Sequence, residues 1–329
     1  MKISSCEAVL QYVPALSEFA DLRLTFVVNL VLNVFLCHAA VALNLLTIHA
    51  IRKTWSLPKT LKILLLSLAV SDVGVGLVVH PFYISLLVKW LHYSKPSCFT
   101  YKIFFMIMSL FALASFFGVV LLSVDRFMAI QFHLRYREIV THRRVAAVVI
   151  TVWVFSASLS LTPAWFPSES SLIIFFVGTI CLMFTTLVYC KIFVVLRRHK
   201  NQIRGLQLQQ AAPNSEMRNL TSLSKSVVNL FYVYVVFMVC YLPRGGSLIG
   251  TAILERSTMI KGFLLCSWTL VFLNSSLNPV IYCLKMRHFR HAVRDILRNM
   301  RFRRNRSQSE RRTFSDFRGE DVTRFPTGL

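Results

Sequence analysis

The chain has 329 residues, of which 55% are hydrophobic and only 16% charged, with a formal net charge of +23. A soluble domain carries about a quarter charged residues, so this composition excludes an ordinary soluble globular protein. The positive balance suits either nucleic acid or a membrane surface, and the placement of Lys and Arg decides between them.

The opening stretch "MKISSCEAVLQYVPALSE" has no continuous apolar core after Lys2. It does not read as a cleavable signal peptide, so the first apolar run is expected to act as its own insertion signal. Seven apolar runs then follow, at about 25–51, 60–88, 99–125, 145–166, 171–196, 226–254 and 260–284. Each is long enough to cross a hydrocarbon core of about 30 Å as a helix. The segments 52–62, 126–144, 191–225 and 285–329 hold 4, 5, 7 and 13 of the 37 Lys and Arg. That asymmetry predicts an outer N-terminus and a cytoplasmic C-terminus. The basic residues flank spans, which points to anionic inner-leaflet lipid and away from nucleic acid. The expected fold class is an all-α membrane protein, a seven-transmembrane helix bundle over 25–284 preceded by an outer segment 1–24.

Several spans carry polar groups that a bilayer penalises. The first holds Asn44 and the second Asp72, with His80 beside Pro81 further along. The third holds Ser115 and closes on "LLSVDRFMAIQF", where Asp125 and Arg126 stand side by side. The seventh holds Asn274, Ser275 and Asn278. Asp72 with Asn44, Ser115, Asn274, Ser275 and Asn278 forms an oxygen-rich set. It suits a small hard cation, sodium with water, or else an interhelical hydrogen-bond cluster. Pro243 and Pro279 lie deep in the sixth and seventh spans, where each removes a backbone hydrogen bond and favours a kink. After the seventh span, Met286, Phe289, Val293, Ile296, Leu297 and Met300 recur at helical spacing among Arg and His. This predicts an amphipathic membrane-surface helix over 285–301. The remainder, 302–329, is polar and is expected to be a disordered cytoplasmic tail.

Taken in order, these residues resemble the rhodopsin-like (class A) G-protein-coupled receptors over about 25–300. The resemblance rests on "ALNLL" with Asn44, "LAVSD" with Asp72, "DRF", Trp153 and Pro163, Tyr189, "CYLP", "NSSLNPVIY" and Phe289. It implies a receptor coupling an outer ligand to a heterotrimeric G protein. Asp125, Arg126, Phe127, Tyr189, Tyr241, Pro243, Asn278, Pro279 and Tyr282 are its implied activation switch. It also implies arrestin and receptor-kinase partners at the tail, where Ser307, Ser309 and Ser315 each follow an Arg by three residues. No nucleophile–base pair or phosphate loop is present, so an enzyme is not expected.

The departures from the family are informative. The second outer loop has no cysteine, and Cys98 lies 28 residues before Arg126, three earlier than the family's bridging cysteine. Cys6, Cys98 and Cys266 are the candidates for an alternative bridge. Cys181 stands where the fifth span usually has proline. The short loop and missing proline resemble the branch holding melanocortin, adenosine, cannabinoid and lysolipid receptors. Yet melanocortin-type acidic positions fall at Phe82, Tyr101 and Phe105, the amine-binding aspartate at Met108, the retinal lysine at Phe272 and the adenosine-binding asparagine at Leu248. The remaining lead is "LPRGGS", where Arg244 suits a carboxylate or phosphate, pairs internally, or snorkels. The candidate pocket is His80, Phe105, Met108, Arg244, Ser247, Leu248 and Phe272, for an anionic or lipid-like ligand, although His80 reads first as a satisfied structural histidine. At the other end, an acidic residue that often restrains the switch arginine is replaced by Leu223, and Phe127 replaces the usual tyrosine. Measurable basal activity is therefore expected. A non-signalling binding or scavenging protein and a transporter are the alternatives.

Overall fold

The computed structural model describes residues 10, 12–54, 57–132, 135–166, 169–207, 215–253, 257–285, 289–296 and 298, without the side chains of 199–226, 252 and 253. Seven helices are long and apolar enough to cross a membrane. They are α1 (Arg23–Lys53), α2 (Lys59–Leu91), α3 (Cys98–Gln131), α4 (His142–Trp165), α5 (Ser170–Gln207), α6 (Ser215–Ile253) and α7 (Thr258–Lys285). A helix satisfies most backbone polar groups within its own segment, which is what a hydrocarbon environment demands.

Local chemistry sets several of the boundaries. Ser97 caps α3 by accepting from the Thr100 amide at 3.2 Å, and Thr141 caps α4 by accepting from the Arg144 amide at 3.4 Å. α3 runs to Gln131, so Asp125 and Arg126 sit inside the helix and not at its end as the apolar run alone predicts. α2 carries a π-turn over Val75–Val79, just ahead of Pro81. Proline cannot donate to the carbonyl four residues back, and a π-turn absorbs such a mismatch. The Cys37 thiol donates to the Gly76 carbonyl of this turn at 3.2 Å.

α2, α3 and α7 form the interior, with half or more of their apolar windows buried, whereas α5 buries 11%. The exposed faces of the outer helices are apolar, as Phe35, Val154 and Ile180 show. A soluble surface does not carry such a band, and a lipid-facing one does. Two glycines allow close helix approach. A Cβ on Gly74 would stand 2.1 Å from the Phe111 ring of α3, and one on Gly76 would stand 2.7 Å from Val41 of α1. One apolar core surrounds the Arg126 end, and a second fills the opposite end, where the N-terminal segment packs. Beyond α7, helical residues 289–296 bury Phe289, Val293 and Ile296 and expose Arg290, His291, Arg294 and Asp295. Met286, Leu297 and Met300 lie outside the described residues, as does the tail with its three serines.

Candidate functional site

At one end of the bundle, Asp125 and Arg126 are buried and paired with each other. The Arg126 Nε also donates to Asp125 Oδ2 at 3.0 Å. The second carboxylate oxygen, Oδ1, accepts from the Tyr136 hydroxyl at 2.6 Å. Tyr136 opens a short helix, Tyr136–Ile139, in the loop between α3 and α4, and its hydroxyl also meets Thr60 Oγ1 of α2 at 3.2 Å. Burial, and secondarily the Asp125 carboxylate, push this hydroxyl up to about 12, so it remains a donor at any physiological pH. Tyr136 was not among the residues singled out from the sequence. Nearby, Tyr189 of α5 accepts from Ser123 Oγ at 3.1 Å and stacks on Tyr234 with ring centroids 5.0 Å apart. Tyr282 packs edge-on against Phe289, and its buried hydroxyl has no hydrogen-bond partner among the described residues. Phe127 is half-buried against the core at this end. The side chain of Leu223 lies outside the described residues.

At mid-depth the predicted oxygen-rich set assembles in part. Asp72 Oδ2 accepts from Asn278 Nδ2 at 2.9 Å, and Oδ1 accepts from Ser115 Oγ at 3.4 Å. Asn44 donates across to the Ser275 carbonyl at 2.8 Å. That carbonyl lies four residues before Pro279, which has no N–H to offer it, so the asparagine replaces the missing helix bond. The amide oxygens of Asn44, Asn274 and Asn278 are buried without hydrogen-bond partners among the described residues. Such groups are costly unless a water or a cation meets them. The donor set is one carboxylate and neutral oxygens, which fits a small hard cation such as sodium with water.

A cavity of about 440 Å³ lies between α3, α5, α6 and α7, toward the N-terminal end. Phe105, Met108, Arg244 and Leu248 line it as the sequence suggests. Tyr241 forms part of the wall, stacked on Phe237 at 3.9 Å, with its hydroxyl donating to the Ala112 carbonyl at 3.4 Å. Arg244 is the one charged side chain in the lining among the described residues. Its guanidinium lies 5.7 Å over the Trp268 ring, and its Nη1 is buried with no hydrogen-bond partner among those residues. Trp268, also missed from the sequence, is wedged among Tyr83, Phe104 and Phe105.

Three candidate pocket residues are not in this cavity. His80 is fully buried and its Nδ1 meets Asn33 Oδ1 at 2.9 Å, in a chain that continues through Thr269 to Asn29. Phe272 packs against His80 and Tyr83. Ser247 is buried at the α6–α7 contact, 3.4 Å from Ser267 Oγ. The π-turn explains His80: an extra residue in a turn rotates everything beyond it by about 100°.

The N-terminal segment covers this end of the bundle. Val13, Phe19 and Leu22 are buried, and Tyr12 lines the cavity. Glu18 is held by Lys261 of α7, whose Nζ donates to both carboxylate oxygens at 2.9 and 2.7 Å. Cys98 is disulfide-bonded, while Cys266 is free. Cys266 is thereby removed from the bridge candidates: it lies inside α7, where the Asn29 amide of α1 donates to its sulfur at 3.5 Å. Cys6 lies outside the described residues.

A helix bundle with a charged pair at one end, a buried acid at mid-depth and a cavity toward the other has the layout of a seven-helix receptor. The profile of the "7 transmembrane receptor (rhodopsin family)" matches residues 43–172 and 165–282. Similar proteins include adenosine receptor A2b of Gallus gallus, 23% identical over 308 residues, covering 82% of this chain and 87% of that protein. Adenosine receptor A3 of Ovis aries is 24% identical, covering 83% and 90%. Histamine H2 receptor of Canis lupus familiaris is 24% identical, covering 80% and 77%. The chain belongs to the rhodopsin family of seven-transmembrane receptors. It is a G-protein-coupled receptor and not an enzyme.

Proposed function

We propose that this receptor responds to an amphiphilic anion, a carboxylate or phosphate carried on an apolar body. The observation that carries the reading is the buried, unpartnered Nη1 of Arg244 in an otherwise uncharged, mostly apolar cavity. A buried guanidinium without an acceptor is costly, and an anionic headgroup would relieve that cost. The cavity volume is within the usual range for small-molecule sites, about 300–1,000 Å³. Although adenosine receptors are among the relatives, Leu248 stands where the resemblance places an adenosine-binding asparagine. Lys and Arg placement supports a plasma-membrane orientation with the N-terminus outside.

In this reading the ligand displaces Tyr241 in the cavity wall, and the kink at Pro243 turns that displacement into motion of α6. Arg126 then leaves Asp125 to line an opening for the G protein, with Phe127, Tyr189, Asn278, Pro279 and Tyr282 supporting the rearranged ends. Ligand binding shifts a population and adds no chemistry of its own. Asp72, Ser115, Asn274, Ser275 and Asn278 would hold a sodium ion that favours the closed arrangement. Arrestin and receptor kinases would act on the tail, and lipid would contact the surface helix.

The test is nucleotide exchange on each G-protein subtype by the full chain in nanodiscs. Palmitate and monoacyl glycerol phosphate are compared with the matching alcohol and methyl ester. A charged hydrogen bond contributes about 1.5–3 kcal/mol, so the acids are expected to be at least about ten-fold more potent. Arg244→Gln is expected to remove that preference. Equal potency of acid and alcohol would end the anionic reading. Saturable binding without exchange on any subtype would instead favour the scavenging alternative.

A further inference from the structure

We infer that the ligand of this cavity enters from the bilayer between α5 and α6. This rests on the amphiphilic-anion reading above. The first observation is that the N-terminal segment is packed on the bundle at the end-on route and reaches the cavity through Tyr12. Tyr12 lines the cavity at the N-terminal mouth, Val13, Phe19 and Leu22 are buried beneath the segment, and the Glu18–Lys261 pair fastens it to α7. A ligand arriving from water meets this cap first.

The second observation is a framed gap in the wall. α5 and α6 are joined at one level by Thr186 and Tyr234, whose hydroxyls lie 2.6 Å apart. Nearer the cap, the Phe175 ring reaches across to Gly245, where a Cβ would stand 3.6 Å from it. Phe175 and Thr186 are eleven residues apart, a rise of about 16 Å along a helix. Between those ties lie Gly178 and Met183 of α5 and Leu242 of α6. Met183 and Leu242 both line the cavity, yet are 61% and 56% exposed. Gly178 and Gly246 also line it, and a Cβ at either would meet nothing within 4 Å.

The third observation is the chemistry along the route. Around the gap the lining is uncharged, and the hydroxyls of Thr179 and Thr186 already donate to carbonyls of their own helix, so an ionised head meets no charge before Arg244. A single-chain amphiphile resident in the membrane matches this order of surfaces: its chain is already in hydrocarbon, and its head meets one guanidinium inside. A water-soluble anion of similar charge would have to cross the lipid-facing rim.

The experiment uses the purified full chain in nanodiscs and cis-parinarate, a fluorescent long-chain carboxylate, added either dissolved in lipid vesicles or from water as its albumin complex. A Cβ at Gly178 or Gly246 meets nothing within 4 Å, so Gly178→Trp and Gly246→Trp are used to put a bulky ring at the gap, and Glu18→Ala removes the ion pair that fastens the cap. Monodisperse elution and a single cooperative melting transition confirm that each variant is folded. Each tryptophan variant is expected to slow association from vesicles at least ten-fold, with a much smaller change in Kd because exit slows as well. Glu18→Ala is expected to leave that rate unchanged. Wild-type rates in both tryptophan variants, or a rate increased by Glu18→Ala, would overturn side entry in favour of the end-on route. The amphiphilic-anion reading fails separately, if parinaryl alcohol binds as well as parinarate and Arg244→Gln changes neither. The absence of saturable binding by the wild type would remove both.

Discussion

The Tyr136 hydroxyl donates to Asp125 Oδ1 at 2.6 Å while Arg126 occupies Oδ2, so one carboxylate is shared between a loop and Arg126. A second donor on a carboxylate draws off part of the charge that the first one feels. It also leaves the acid satisfied when the arginine departs. Both effects ease release of Arg126. Tyr136→Phe is therefore expected to tighten the Arg126–Asp125 pair and lower basal nucleotide exchange. A hydrogen bond of about 1 kcal/mol corresponds to roughly a five-fold fall. Asp125→Asn is expected to do the reverse and raise basal exchange. The wild type is expected to show measurable basal activity at verified surface expression. A Tyr136→Phe variant with higher basal exchange than wild type would contradict the shared-carboxylate account.

The contrast between Asp125 and Tyr136 shows what a sequence can and cannot display. The seven spans are legible because run length and Lys/Arg placement answer to bilayer thickness and membrane charge, which act on every residue alike. Asp72 and Asn278 are legible as partners because a buried carboxylate in lipid needs donors, and few polar groups share its depth. Tyr136 is in a loop, where no periodicity says which way a side chain turns. His80 is the buried structural histidine that its place beside Pro81 suggests first, and the π-turn before it breaks the 3.6-residue register by which its face could be read. Ser247 and Phe272 failed differently: each is at the right depth, but packs into a helix contact instead of the cavity. Trp268 carried no signal as a single aromatic in an apolar span, and its role depends on Arg244 lying over it.

The mid-depth cluster makes a prediction about salt. The unpartnered amide oxygens of Asn44, Asn274 and Asn278 near the Asp72 group would be satisfied by a cation with water. Sodium chloride is then expected to raise the melting temperature of the purified receptor and depress basal exchange, with potassium chloride of equal ionic strength as the control. Asp72→Asn removes the charge that attracts the ion and is expected to abolish the sodium-specific part of both effects. Identical responses to the two salts in the wild type would leave the cluster as a hydrogen-bond network alone.

The cysteine inventory makes a second, covalent prediction. Cys98 is disulfide-bonded, and Cys37, Cys181, Cys190, Cys240, Cys266 and Cys283 are free. The chain has eight cysteines, so the count leaves Cys6, outside the described residues, as the expected partner. Peptide mapping without reductant is expected to recover a cross-linked pair holding Cys98 and Cys6. A peptide joining Cys98 to Cys266 would refute the assignment. Cys6→Ser and Cys98→Ser are expected to have matching effects on stability, since either removes the same bridge.

The pair between Lys261 and Glu18 decides how firmly the N-terminal segment is held. Their side chains are 11% and 14% exposed, and the lysine reaches both carboxylate oxygens. The interaction therefore ranks above an exposed ion pair, at about 0–1 kcal/mol, and below the loss of about 3–5 kcal/mol seen when a fully buried pair is broken. Glu18 has a further task, because its Oε2 accepts from the Ala15 amide at 2.7 Å and so closes the first turn of the cap. Lys261→Met removes the charge pair alone, while Glu18→Ala removes both interactions. Hydrogen exchange at the Glu18 and Leu22 amides, which bond to Ala15 and Glu18 carbonyls at 3.0 Å, reports on each. Exchange is expected to accelerate in Lys261→Met and more so in Glu18→Ala. The reversed pair, Glu18→Lys with Lys261→Glu, is expected to restore part of the protection by re-forming the charge contact, but not the Ala15 bond, since a lysine cannot accept from an amide. Equal exchange in Lys261→Met and wild type would show that the buried Val13, Phe19 and Leu22 hold the cap without help from the ion pair.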